Sequence, residues 1–110
     1  MERLSKRSDF EDLRRAGRRF GGRNLSIYFL ERDSNGAPLV GFAISKRVGN
    51  AVVRNRIRRR LREISYGSEG IFSSGCYLVA VKPSAKERDY WELKSDMESV
   101  LRRIGVSVGK

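Results

Sequence analysis

Histidine is absent from the 110-residue sequence, and cysteine occurs once, at position 76. Without histidine the chain lacks the commonest general base, cannot build a Ser-His or Cys-His nucleophile, and loses most ways of holding zinc. A lone cysteine forms neither an internal disulfide nor a thiolate metal cluster. Cys76 opens an apolar run and reads as a buried structural thiol. No hydrophobic run approaches the ~20 residues of a membrane span, and no apolar signal segment follows Met1. The expectation is a soluble, cytoplasmic protein in a reducing compartment. Acidic residues are also few: 13 Asp and Glu stand against 24 Lys and Arg, a net charge of +11. Such a surplus repels itself unless a polyanion neutralises it, so nucleic acid is the first candidate partner and an anionic membrane surface the second.

What is present suits one domain spanning residues 1–110, with no repeat, low-complexity tract or long linker. Ser8-Asp9-Phe10-Glu11 predicts a helix start, with Ser8 as cap and Glu11 reaching back to it. Phe10 and Leu13 lie on one face, and Gly17 suits the end. Asp9, Glu11 and Asp12 read as partners of the helix dipole. Residues 25–31 alternate, with Leu25, Ile27 and Phe29 opposite Ser26, Tyr28 and Leu30. Residues 39–45 alternate again, with Val40, Phe42 and Ile44 opposite Gly41, Ala43 and Ser45. The turn formers Asp33–Pro38 between them predict an antiparallel hairpin. A third strand is expected at Cys76–Lys82, with Tyr77, Val79 and Val81 on its bulky face, and a short extra one near Arg19-Phe20.

Two longer helices complete the pattern. One runs from about Asn50 to Ile64, with Val53, Ile57, Leu61 and Ile64 in a narrow stripe, and is followed by a loop at Gly67–Gly70. The other starts at Ser84 or nearer Asp89, buries Tyr90, Leu93, Met97, Val100, Leu101 and Ile104, and closes at Gly105. Met97 and Trp91 read as packing residues. The order α-β-β-(β)-α-β-α predicts an α+β fold, an α/β sandwich with helices against the bulky face of a small mixed sheet.

Charge is concentrated. Residues 46–62 hold eight basic and no acidic side chains, so the remainder carries only 16 basic against 13 acidic residues. At 100° per residue, Arg54, Arg58 and Arg62 share one flank of the helix and Arg59 lies opposite the apolar stripe. Arg56 and Arg60 border the stripe on the other side and must reach outward. A solvated surface helix mixes signs to gain i, i+4 pairs, and here only Glu63 is available. Six arginines between positions 54 and 62 repel one another, and guanidinium favours bidentate phosphate contact. The segment is therefore read as a polyanion-binding helix, with DNA or RNA undecided by charge.

The run Lys46-Arg47-x-Gly49-Asn50-Ala51-Val52-x-Arg54-Asn55-Arg56-x-Arg58-Arg59-x-x-Arg62 resembles the signature helix of the bacterial ribonuclease P protein family. Arg3-Leu4, Asp9-Phe10, Tyr28, Ser45-Lys46 and Lys82-Pro83 extend the resemblance over nearly the whole chain, most weakly after Ala85. It implies a fold like the second domain of ribosomal protein S5, with a left-handed βαβ crossover around the signature helix. It also implies a protein that does not cut RNA itself. A catalytic RNA subunit hydrolyses precursor tRNA at the mature 5′ end, and Mg²⁺ is bound mainly by that RNA and the substrate, none by the protein alone.

By resemblance, Lys46, Arg47, Arg54, Asn55, Arg56, Arg58, Arg59 and Arg62 contact the catalytic RNA. Phe10 and Tyr28 match positions lining a cleft for the 5′ leader of precursor tRNA. Arg14 stands where the family often has an aromatic, so its leader contact would be ionic. The residues themselves leave Phe10 open as either a cleft residue or a core anchor, and Tyr28 likewise. Arg18 and Arg19 are either further phosphate contacts or solvated surface. No catalytic residue, no protein metal site and no obligate protein partner is expected. The competing functions are a ribosome-associated structural RNA-binding protein, an autonomous endoribonuclease, which the missing histidine weakens, and a membrane-binding helix. For the last, arginines on most sides leave too narrow an apolar face to insert.

Overall fold

Residues 2–4, 7–31 and 37–108 are described in the computed structural model. They form β1 (Glu2–Arg3), α1 (Arg7–Ala16), β2 (Arg18–Gly21), β3 (Leu25–Glu31), β4 (Leu39–Ala43), α2 (Ala51–Gly67), β5 (Gly75–Val81) and α3 (Tyr90–Ser107). Short 3-10 segments at Glu69–Ile71 and Pro83–Glu87 lead out of α2 and into α3.

The strands make one mixed sheet in the order β1-β4-β5-β3-β2. The α+β class expected from the sequence holds, but the hairpin between residues 25–31 and 39–45 does not form. β5 lies between those strands, antiparallel to β3 and parallel to β4. Burial explains the placement. β5 is buried at six of its seven positions, on both faces, so it belongs at the centre with both edges paired, while the less uniformly buried β3 and β4 flank it. Of the turn formers between them, Asp33–Gly36 lie outside the described residues. The parallel β4–β5 pair joined through α2 is the strand–helix–strand connection that the resemblance implies. β2, expected near Arg19-Phe20, pairs antiparallel with β3. β1 was not legible at all: two residues carry no pattern, and only the parallel register Glu2–Leu39 and Arg3–Val40 defines it.

Strand alternation makes the two faces unlike. Ile27, Phe29, Tyr77 and Val79 point to one side and meet Ile57, Leu61 and Ile64 of α2 and Leu93, Met97, Val100, Leu101 and Ile104 of α3. The Tyr77 ring packs between Phe29 and Phe72 at centroid distances of 5.0 and 4.9 Å. Its hydroxyl donates to Ser73 O at 2.8 Å and accepts from Ser73 N at 2.7 Å. Burial raises its pKa, and the Ser73 hydrogen bonds partly offset that. On the other side, Leu4, Leu13, Cys76 and Leu78 form a smaller cluster, flanked by Phe10, Tyr28, Leu30, Leu39 and Ala43. Helices therefore cover both faces. The two long ones take the bulky face, as expected, and the ten-residue α1 takes the opposite one.

Helix ends follow local chemistry, though not all fall where expected. α1 begins at Arg7, which places Ser8 inside its first turn instead of before it, and Glu11 pairs with Arg7 at 3.4 Å. α3 starts at the later of the two expected points. Asp89 accepts from Glu92 N at 2.8 Å and Glu92 accepts from Asp89 N at 3.1 Å, a complete capping box, while Ser84 falls in the preceding 3-10 segment. Gly105 does not stop α3, which continues to Ser107 because Ile104 still packs into the core. Met97 is fully buried, but Trp91 is 69% exposed and is not a packing residue.

Candidate nucleic-acid interface

The signature helix begins as its sequence demands. Asn50 is its N-cap, accepting from Val53 N at 3.0 Å. A Cβ on Gly49 would stand 2.9 Å from Val53 Cγ1, so the turn into the helix has room only for glycine. Lys46 and Arg47 occupy the exposed turn just before it, closed by Val48 N donating to Ser45 O and Gly49 N to Lys46 O. The first turn of α2 carries no acidic residue, so the positive end of the helix dipole adds to both cations.

Along α2 the arginines divide into three groups. Arg58 and Arg62 point toward the outer edge of β4, where Phe10 and Tyr66 lie beside them. Arg58 donates to Asn55 Oδ1 at 3.0 Å, and Arg54 donates to Gly49 O at 3.1 Å. Arg59 is exposed. Arg56 and Arg60 turn the opposite way and cap backbone carbonyls beside α3: Lys86 O at 3.4 Å and Arg88 O at 3.1 Å. These two do more than reach into solvent, because they tie α2 to the 3-10 segment before α3. Among the described residues, the ion pairs within 4.0 Å are Arg7–Glu11, Arg15–Asp12 and Arg88–Glu92, and none involves an arginine of α2. Glu63, the one carboxylate available to them, makes no such pair.

The second feature is a shallow trough on the face covered by α1. Register places Gly41, Leu78, Tyr28 and Arg19 in one row across β4, β5, β3 and β2. The adjacent row is Ala43, Ala80, Ser26 and Gly21, all small. The first row supplies a ridge; in the second, Ala43, Ala80 and Gly21 are partly exposed and form a low floor, while Ser26 is buried. Phe10 lies over Gly41, where a Cβ would come within 2.9 Å of its ring. Arg14, one helical turn later, holds its guanidinium 5.9 Å from the Tyr28 ring centroid. Arg19 is drawn to the same face by a 2.9 Å hydrogen bond to Ser26 Oγ. Phe10, Arg14 and Tyr28 are thus brought together, and Phe10 both packs and lines the trough. Ser26 and Ala80 were missed from the sequence; small residues at alternate positions of paired strands are the signal that could have found them. Tyr66 was missed as well, although it follows Arg58 and Arg62 at four-residue intervals.

Among the described residues no group of three or more His, Cys, Asp or Glu side chains is placed to hold a metal ion. Cys76 is buried, as expected. Among the described residues no helix is long and apolar enough to cross a membrane.

A helix with six arginines and a single carboxylate, beside a surface of small residues flanked by aromatic and guanidinium groups, defines a small α+β protein suited to meet a polyanion. Comparisons with known proteins narrow that class. The family profile described as Ribonuclease P matches residues 1–105. The ribonuclease P protein component of Thermobifida fusca is 40% identical over 93% of this chain and 75% of its own length. That of Acidothermus cellulolyticus is 36% identical over 93% of this chain and 87% of its own. Among solved structures, the RNase P protein of Staphylococcus aureus superposes with a TM-score of 0.86 at 25% identity, covering 94% of this chain and 95% of that one. The Thermotoga maritima protein, 22% identical, shares the fold with a TM-score of 0.84 over 94% and 97% of the two chains. The chain belongs to the ribonuclease P protein family, and the function expected from its signature helix, a protein subunit of ribonuclease P, stands over the ribosomal alternative.

Proposed function

We propose that this chain docks on the catalytic RNA of ribonuclease P through α2 and holds the 5′ leader of precursor tRNA in the trough beneath α1. The carrying observation is that the α2 arginines Arg54, Arg58, Arg59 and Arg62 have no carboxylate partner among the described residues. Phosphates of a folded RNA would neutralise them, with Lys46 and Arg47 extending the contact past the helix start. Asn55 and Arg56 belong to the same surface, but each already bonds within the chain. Arg56 therefore supports the helix as well as meeting RNA.

In this reading the protein performs no bond-breaking step. The RNA subunit carries the chemistry, and Mg²⁺ is held by that RNA and the substrate phosphates. The protein's part is positional. A single strand lying on Ala43 and Ala80 would have bases near Tyr28 and Phe10 and phosphates near Arg14 and Arg19. A leader so held raises substrate affinity and keeps the scissile phosphate at the RNA's metal site. The fitting compartment is the cytoplasm, where precursor tRNA is processed.

The deciding experiment combines the protein with a bacterial ribonuclease P RNA at low Mg²⁺ and measures precursor tRNA turnover. Turnover well above that of the RNA alone is expected. No stimulation would remove the proposal, and cleavage by protein without RNA would replace it with an autonomous nuclease.

A further inference from the structure

The trough does not end at Phe10. β1 covers β4 only at Leu39 and Val40, so the outer edge of β4 from Gly41 onward is unpaired by any strand among the described residues. A cavity of about 260 Å³ opens there, between the Phe10 ring on one side and α2 on the other. Its floor is apolar, formed by Leu4, Val40, Gly41 and Phe42, and three guanidinium groups, from Arg3, Arg58 and Arg62, stand around it. Among the described residues no carboxylate lines it. Tyr66 closes the far wall, 61% exposed although it is a large aromatic on a helix with a well-filled apolar stripe.

Packing of the core does not require an aromatic at position 66, since Ile57, Leu61, Ile64 and Ser65 already provide the buried side of α2. The combination fits one kind of occupant. A flat, unstacked base gains from an apolar floor and an aromatic wall, and its phosphate gains from guanidinium groups with no competing anion. The volume lies below the ~300–1,000 Å³ of sites for drug-sized ligands, as suits one nucleotide. We infer that this cavity takes a single unpaired nucleotide of the precursor's leader, its base against Tyr66 and its phosphate between Arg58 and Arg62. The leader is favoured over the catalytic RNA because Phe10 is a common wall. The Phe10 ring fills the space over Gly41 and also lines the cavity, so a strand in contact with Phe10 in the trough continues past the ring into the cavity. Tyr66 thereby becomes a substrate-positioning residue where the leader surface meets the RNA-docking surface.

This inference rests on the leader reading above, and its test separates the two. Holoenzyme assembled with wild-type, Tyr66→Ala or Tyr66→Phe protein is titrated with precursor and mature tRNA, and with precursors carrying one abasic nucleotide at each leader position in turn. The ratio of precursor to mature affinity is expected to fall about tenfold with Tyr66→Ala and to hold with Tyr66→Phe, because stacking needs the ring and not the hydroxyl. One abasic position should weaken binding to wild type and to Tyr66→Phe but have no further effect on Tyr66→Ala. An unchanged ratio overturns the inference, as does equal weakening of precursor and mature tRNA, which would assign Tyr66 to the catalytic RNA. So does an Ala effect that adds to every abasic position. If the wild-type holoenzyme itself does not prefer precursor over mature tRNA, the leader reading fails first.

Discussion

The two faces of one sheet do different work, although they are built from the same three strands. Toward α2 and α3, Ile27, Phe29, Tyr77 and Val79 fill the space beneath two long helices. Toward α1, the same strands present Ser26, Gly41, Ala43 and Ala80, and ten residues of helix cover only part of the surface. Stability is invested on one side and an open surface is left on the other. Because side chains alternate with a period of two, a strand can serve both purposes without compromise between them. The contrast also explains why α2 can carry so much unpaired charge. Its inner stripe belongs to the filled face, so its outer arginines are free to serve a partner.

The largest way to break this comparison is to weaken the filled face. Leu101→Ala removes a side chain buried between α3 and the sheet and is expected to cost about 2–5 kcal/mol of folding stability, read from denaturant melts. A loss below about 1 kcal/mol would mean that this face does not carry the fold.

The next is the triple replacement of Arg54, Arg58 and Arg59 by alanine. Folding stability should fall only by about 1–2 kcal/mol, since no ion pair among the described residues is lost and the hydrogen bonds given up are those to Gly49 O and Asn55 Oδ1. The slope of log affinity for the catalytic RNA against log salt should become shallower by about 2–3. An unchanged slope would place the RNA surface elsewhere.

Tyr28→Ala probes the open face. It should reduce the preference for precursor over mature tRNA by about five- to tenfold, with some loss of stability because Tyr28 also packs beside the Leu13–Leu78 cluster. Equal weakening of both RNAs would take Tyr28 out of the leader site.

The smallest effect belongs to pH. Tyr77 has its pKa raised by burial, so its contribution is complete below the unfolded value of ~10 and is lost as pH climbs through the higher folded value. Stability should therefore fall only in strongly alkaline solution. With no histidine in the chain, a protein-borne transition between about pH 6 and 8 is not expected in melts. A marked one would show that some other group controls folding.

Local sequence carried much of this protein. The apolar stripe of α2, the Asn50 start, the alternation of residues 25–31 and the buried side of α3 were all legible, because each depends on spacing and near-neighbour hydrogen bonds. The one-signed run from Lys46 to Arg62 pointed to a polyanion for a similarly local reason: only Glu63 lies close enough in sequence to offset it. The pairing of Phe10, Arg14 and Tyr28 on one surface was expected from resemblance. Their geometry, with Phe10 over Gly41 and Arg14 over Tyr28, required the sheet to be assembled.

Only the tertiary structure decided the rest. The strands at residues 25–31 and 39–43 look like a hairpin locally, yet β5 separates them, because a segment buried on both faces gains most at the centre of a sheet. That insertion aligns Gly41, Leu78 and Tyr28 in one row, and Ala43, Ala80 and Ser26 in the next, from three segments distant in sequence. The helix ends were settled the same way: Gly105 would stop an isolated helix, but Ile104 is anchored in the core and α3 runs past it. Composition and periodicity determined which surfaces this chain would bury and what charge it would show. The order of strands determined which of those residues meet, since pairing depends on contacts that no local window contains.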